Sequence, residues 1–266
     1  MAGHPLGAGF LAHPAGVVVA EWASRLLDVA GELDAGLAAL RQDQRTRLRV
    51  SASLTIAEQL LPGWLVSFQA AARRREQPAA EVVLTAANSD VVIEHVRAGH
   101  ADVGFIEGPR TPRDLRSRIV GQDTLALVVP HGHPWARRRR PVTAAELAAT
   151  ALVTREPGSG ARDALTEALR SALGPDTVQP PPVLALSTGT AVRAAVLAGA
   201  GPAVLSELAV VDDIAAHRLH RVPLEGVELR RALRAVWPGP GGPPAGAVRD
   251  LVAHIAAGRG RAAGSG

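Results

Sequence analysis

The sequence predicts an α/β protein with largely parallel sheets, preceded by one long amphipathic helix. Three observations carry that class. Short apolar runs alternate with stretches of helical spacing from residue 48 to residue 255. Hydroxyl- and glycine-rich turns recur where strands pass into helices. Ahead of them, residues 19 to 33 place apolar side chains at alternating three- and four-residue steps. At 266 residues the chain can build one large domain or two of ordinary size, each with its own core.

Residues 1–16 are rich in Gly and Pro and carry no hydrophobic period. Val19, Trp22, Leu26, Val29 and Leu33 then form a seam along a helix, with a register shift near Gly36. Such a seam needs a cover, which either a second copy or the chain's own domain supplies. The polar run Gln42 to Arg47 breaks the pattern and reads as a linker. Leu48 to Ala52 alternates like a half-buried strand, and Ile56, Leu60 and Leu61 follow at helical spacing. Between them, Ser53 and Thr55 stand where hydroxyls cap a helix, beside backbone N–H groups that suit an anion. That helix ends in Arg73-Arg74-Arg75, which complements its dipole.

Glu81 to Thr85 is the next strand, and Asn88-Ser89-Asp90 caps a helix that ends at Gly99. Ala101 to Ile106 is a buried strand turned by Glu107-Gly108-Pro109. Ile119-Val120 and Leu125 to Val129 are expected as two strands around a turn at Gln122-Asp123. Thr143 with Glu146 makes a capping box. Ala151 to Thr154 is a strand that leads through Gly158-Ser159-Gly160 into a helix. Val183 to Leu186 leads likewise through Ser187-Thr188-Gly189-Thr190. Strands at Ala203 to Leu205, Leu219 to Val222 and Leu233 to Val236, then a helix over Val248 to Ile255, complete the pattern. Parallel sheets bind ligands at the carboxyl ends of their strands. Three hydroxyl turns, at Ser53 to Thr55, Gly158 to Gly160 and Ser187 to Thr190, occupy that position.

Composition narrows the chemistry. Aromatics are 3% of the chain, so Val, Leu and Ala fill the core. With no Cys there is no disulfide, thiol nucleophile or thiolate zinc site; with no Lys there is no P-loop lysine or Schiff base. The positive charge is all Arg and the net charge is only +4, which gives no argument for nucleic-acid binding. No run reaches the roughly 18 apolar residues of a membrane span, and the N-terminus lacks the pattern of a signal peptide. A cytoplasmic location, with no membrane partner, is expected.

In order and spacing, five segments resemble the LysR-type transcriptional regulators, from about residue 14 to about residue 256. They are SASLTIAEQLLP at 51–62, HVRAGHADVGFIEGP at 95–109 and LALVVPHGHPWARRRRPVTAAELA at 125–148. EPGSGAR at 156–162 and STGTAVRAAVLAGAGPAVLSELAV at 187–210 complete them. The resemblance implies a linker helix at 17–47 that pairs subunits through Val19, Trp22, Leu26, Val29 and Leu33. It implies an effector-binding domain at 48–258 made of two hinged α/β subdomains, like a type 2 periplasmic binding protein. Subdomain I would span 48–128 and 231–258, subdomain II 129–230, and 259–266 would be a disordered tail. Members carry a winged helix-turn-helix ahead of the linker helix. Here only Leu6 to Gly16 resembles the end of its wing, so promoter DNA is expected as a partner only through a head not seen in this chain.

The expected function is effector sensing and self-association, as a homodimer or tetramer, for a transcription regulator. The effector is expected to be small and anionic and to lie between the subdomains, met by Ser53, Leu54, Thr55, Glu107, Ser159, Gly160, Thr188 and Thr190. Glu107 fits either a ligand contact or a turn carboxylate, and Arg162 either an anion partner or a helix cap. His131, His133, His217 and His220 lack the setting of a metal site. The Arg137 to Arg140 run reads as a solvated loop. No paired catalytic groups stand out, so neither an enzyme nor a cofactor is expected. The alternative is a stand-alone solute-binding protein of the same two-lobed fold.

Overall fold

In the computed structural model, residues 22, 25, 26, 29, 47–76, 79–109 and 112–262 are described. The chain falls into two units, 1–45 and 46–266. In the first, Trp22, Arg25, Leu26 and Val29 are helical, and Trp22, Leu26 and Val29 are exposed. Val19, Leu33 and the segment 1–16 lie outside the described residues, as do 263–266.

In the second unit, alternation decides which face each strand buries. Leu48, Val50 and Ala52 of β1 (Arg47–Ser53) point into one core. That core also holds Leu61 of helix α1 (Leu61–Arg74), Phe105 of β3 (Val103–Glu107) and Leu251 and Val252 of α7 (Ala247–Ala262). Strand β2 (Glu81–Ala87) flanks β1 on its other side, and all three strands run parallel. The opposite face is covered by α2 (Ser89–Arg97), whose Val92 and Val96 pack on Ile106 and Val236. Gly104 makes that packing close: a Cβ there would lie 2.8–2.9 Å from Val96, Val236 and Val92. Asn88 caps α2 through its side chain, and Gly99 follows the helix with φ 68°.

Strand β4 (Arg116–Pro130) runs through both halves of the unit. Its first part, to Thr124, pairs with β11 (Arg230–Trp237), which returns antiparallel to β3 as well. From Leu125 it pairs with β8 (Ala203–Ser206) and β9 (Leu219–Arg221). Strand β6 (Val153–Arg155) joins β8 and β7 (Leu184–Leu186) in parallel. A separate short pair is formed by β5 (Val142–Thr143) and β10 (Leu224–Glu225). The turn expected at Gln122-Asp123 is therefore not a turn. Both residues lie in β4, paired with Ala232 and Arg231, and the Asp123 side chain is engaged within the fold.

Because β4 alternates, Leu125, Leu127 and Val129 face one helix layer while Ala126 and Val128 face the other. The first layer holds α3 (Ala144–Ala148) and α4 (Gly160–Leu173). The second holds α5 (Gly189–Leu197) and α6 (Glu207–Ala215). The Thr143–Glu146 capping box is formed in full. Two α/β halves sharing one long strand are thus the architecture, as the hinged reading expected. Helix α7 runs to Ala262, and no helix among the described residues is long and apolar enough to cross a membrane.

Candidate ligand cleft

The carboxyl ends of β1 and β3 in one half face the starts of α4, α5 and α6 in the other. Ala52 is in register with Phe105, so Ser53 and Glu107 occupy adjoining strand ends. After β1 the chain enters a π-helical turn at Ile56–Leu60 before α1 begins, a distortion common at functional sites. Thr55 precedes that turn but does not cap it. Its hydroxyl donates to Glu107 Oε1 at 3.1 Å and accepts from Arg231 Nη2 at 3.2 Å. The expectation that Ser53 and Thr55 cap the helix is corrected accordingly. Thr55 is held by charged groups, and Ser53 Oγ is buried with no hydrogen-bond partner.

Arg231 organises the floor. Its Nε and Nη2 lie 2.8 and 2.6 Å from Asp123 Oδ2, and its Nη1 lies 3.0 Å from Glu107 Oε1. Ser206, the N-cap of α6, donates to Asp123 Oδ1 at 2.8 Å while its Oγ also accepts from Leu208 N. One buried network therefore ties β1, β3, β4 and β11 to the start of α6. Glu107 is neither a bare turn carboxylate nor a surface group. Ser89 further pins its backbone, donating to the Glu107 carbonyl at 3.1 Å.

The second half closes down on this floor at the start of α4. A Cβ on Gly160 would sit 2.1 Å from the Glu107 carbonyl oxygen, so only glycine permits this approach. Beside it, Asp90 N donates to Gly158 O at 3.4 Å. Ser159 Oγ is buried without a partner and makes no cap bond. Leu54, Thr55, Glu58, Arg155, Gly189 and Ser206 line a cavity of about 20 Å³ between the halves. The cleft is shut in this form. Arg155, itself 4% exposed, is held by Glu156 at 2.8 and 2.9 Å.

The residues expected at the site divide into two groups. Ser53, Leu54, Thr55, Glu107, Ser159 and Gly160 converge on the floor and its closing helix. Thr188 lies beside Gly189, but its hydroxyl accepts from Ala191 N and serves as the α5 cap. Thr190 is exposed and donates to Glu58 Oε2 across the cleft at 3.3 Å. Arg162 Nη1 donates to the Arg155 carbonyl at 3.3 Å, which ties the start of α4 to the end of β6. Sequence reasoning missed Asp123, Arg155, Ser206 and Arg231. Only Ser206 carries a local signal, a serine between a strand and a helix.

Elsewhere, Arg138 and Arg140 of the basic run pair with Glu146 at 2.7 and 3.2 Å. His131 Nδ1 and His220 Nε2 lie 3.2 Å apart. Among the described residues no group of three or more His, Asp or Glu could hold a metal.

Comparison with known proteins adds the following. The family profile described as the LysR substrate binding domain matches residues 41–259. An uncharacterized HTH-type transcriptional regulator of Mycobacterium tuberculosis is 60% identical over 242 residues, covering 91% of this chain and 78% of that protein. Among solved structures, the Synechocystis CcmR regulatory domain in complex with 2-PG aligns with TM-score 0.65 at 21% identity. It covers 79% of this chain and 96% of that one. Full-length CbnR complexed with its target DNA aligns with TM-score 0.61 at 24% identity, covering 94% and 84%.

Proposed function

The chain belongs to the LysR family of transcriptional regulators, which are not enzymes, and we propose that it senses a small effector in the cleft between its two halves. The single observation behind the site is a set of buried polar groups without partners. Ser53 Oγ and Ser159 Oγ are both buried and unbonded, one on each side of the cleft. Buried hydroxyls are satisfied in most proteins, so a pair left open at facing strand and helix ends marks a place for a ligand. Arg155 and the starts of α4, α5 and α6 favour an anionic group on that ligand.

Sensing follows from the hinge. β4 crosses between the halves with β11 pairing only its first part, so the halves can swing about this crossing. An effector that binds one degree of closure better than another shifts the population toward it. We assign self-association to the helix carrying Trp22, Leu26 and Val29, promoter binding to a helix-turn-helix head, and the whole to the cytoplasm.

The test uses thermal melts with candidate effectors. A ligand that raises the wild-type midpoint should bind roughly tenfold more weakly to Thr55→Ala or Ser159→Ala. Both variants should still melt cooperatively without ligand. Equal stabilisation of all three proteins would remove the cleft as the site.

A further inference from the structure

Charge on the cleft floor is not balanced. Glu107, Asp123 and Arg231 have side chains only 1–2% exposed, two carboxylates against one guanidinium. Asp123 is satisfied: Arg231 serves one oxygen and Ser206 the other. Glu107 is not. Its Oε1 meets Thr55 and Arg231, while Oε2 is buried with no hydrogen-bond partner. Glu58 adds a further carboxylate at the cavity wall, where Thr190 donates to it. A carboxylate kept from water needs donors on both oxygens, and an anionic group arriving there would be repelled.

The opposite wall is built around a guanidinium. Arg155 is buried there in a bidentate pair with the neighbouring Glu156, beside the starts of α4 and α5. Thr55 links the two ends, since it bonds Glu107 and lines the same cavity as Arg155. The two poles are therefore connected through a single side chain.

We infer that the effector is a small amino-carboxylate, its ammonium donating to Glu107 Oε2 and its carboxylate meeting Arg155 and the helix starts. This rests on the cleft being the effector site. With about 20 Å³ available, the ligand enters only when the start of α4 parts from Glu107. Its ammonium then replaces the apposed helix as the neighbour of that carboxylate. A charge-assisted hydrogen bond on each pole gives selectivity for molecules carrying both groups.

Calorimetry on the full chain tests this with glycine, β-alanine, L-serine and L-lysine against acetate, propionate, glycerate and hexanoate. At least one amino-carboxylate should bind about tenfold more tightly than its amine-free counterpart. Glu107→Gln should abolish that preference while the carboxylate still binds. Should Glu107→Gln fail to fold, Glu107→Asp, which withdraws the charge by one methylene, should reduce the preference. Equal binding of an acid and its amino counterpart, a preference that survives these variants, or no binding by any probe overturns the inference. Arg155→Met and Thr55→Ala separate the two layers. If they leave binding unchanged, the cleft reading itself fails; if they weaken binding without any amine preference, only the effector class fails.

Discussion

Replacing Arg231 by Met keeps the aliphatic stem but leaves Glu107 and Asp123 buried without their guanidinium. Removing one partner of a buried ion pair costs about 3–5 kcal/mol, because the charge left behind has no solvent to turn to. Arg231→Met should lower the unfolding free energy extrapolated from urea denaturation by that much, and adding Glu107→Gln and Asp123→Asn should restore most of the loss. A single variant as stable as the wild type would mean that water reaches this floor. Nothing local in the sequence announces Arg231. It stands in the alternating run Arg230 to Trp237, where a polar residue reads as the solvated face of a strand. Asp123, 108 positions away, reads as a turn residue, and only the pairing of β4 with β11 brings the two together. The hydroxyls at Ser53, Thr55 and Ser159 were legible because a serine or threonine between a strand and a helix carries its signal in sequence.

Elements whose ends are set by near neighbours were legible in the same way. Thr143 and Glu146 stand three apart, and the capping box they form is complete. The backbone N–H of Thr143 and the guanidinium of Arg138 hold the Glu146 carboxyl down from 4.5 to about 2. A carboxyl with a depressed value in the fold stabilises above its unfolded value and loses that contribution as the pH falls through its folded one. The stability gap between wild type and Glu146→Gln should therefore be full near neutral pH and shrink between about 4.5 and about 2. A gap that stays constant through that window would mean that the box holds the helix by shape alone. Elements set by distant partners read wrongly. The Thr55 hydroxyl was expected on its own helix, but Glu107 and Arg231 take it, and the helix opens as a π-turn instead. Gly121 to Thr124 has turn composition, yet it extends because β11 pairs along it.

At the scale of the molecule, the α/β class follows from alternating periods, but the sharing of β4 between two halves does not. A strand pairing with β11 at one end and with β8 at the other has the same local pattern as two shorter strands. What the fold achieves with that strand is a hinge, and what closes the hinge here is a backbone approach. The start of α4 lies against Glu107 and Gly108 with no side chain between them. A methyl group on Gly160 would meet the Glu107 carbonyl at 2.1 Å, which is backbone and cannot rotate aside. Either the two halves separate or the β3 end distorts. Separation is resisted by the Asp90–Gly158 and Thr190–Glu58 hydrogen bonds, both above 3.2 Å, and by the shorter Ser206–Asp123 bond at 2.8 Å. Distortion would disturb the buried floor around Arg231. Gly160→Ala should therefore open the cleft, raising the radius of gyration in small-angle scattering while lowering stability by about 1–3 kcal/mol. Added effector should shift the scattering of the wild type more than that of the variant, because the alanine blocks the closed arrangement from which the wild type starts. A variant that scatters as the wild type does would place the strain in β3, and the hinge would then be stiffer than these hydrogen bonds suggest.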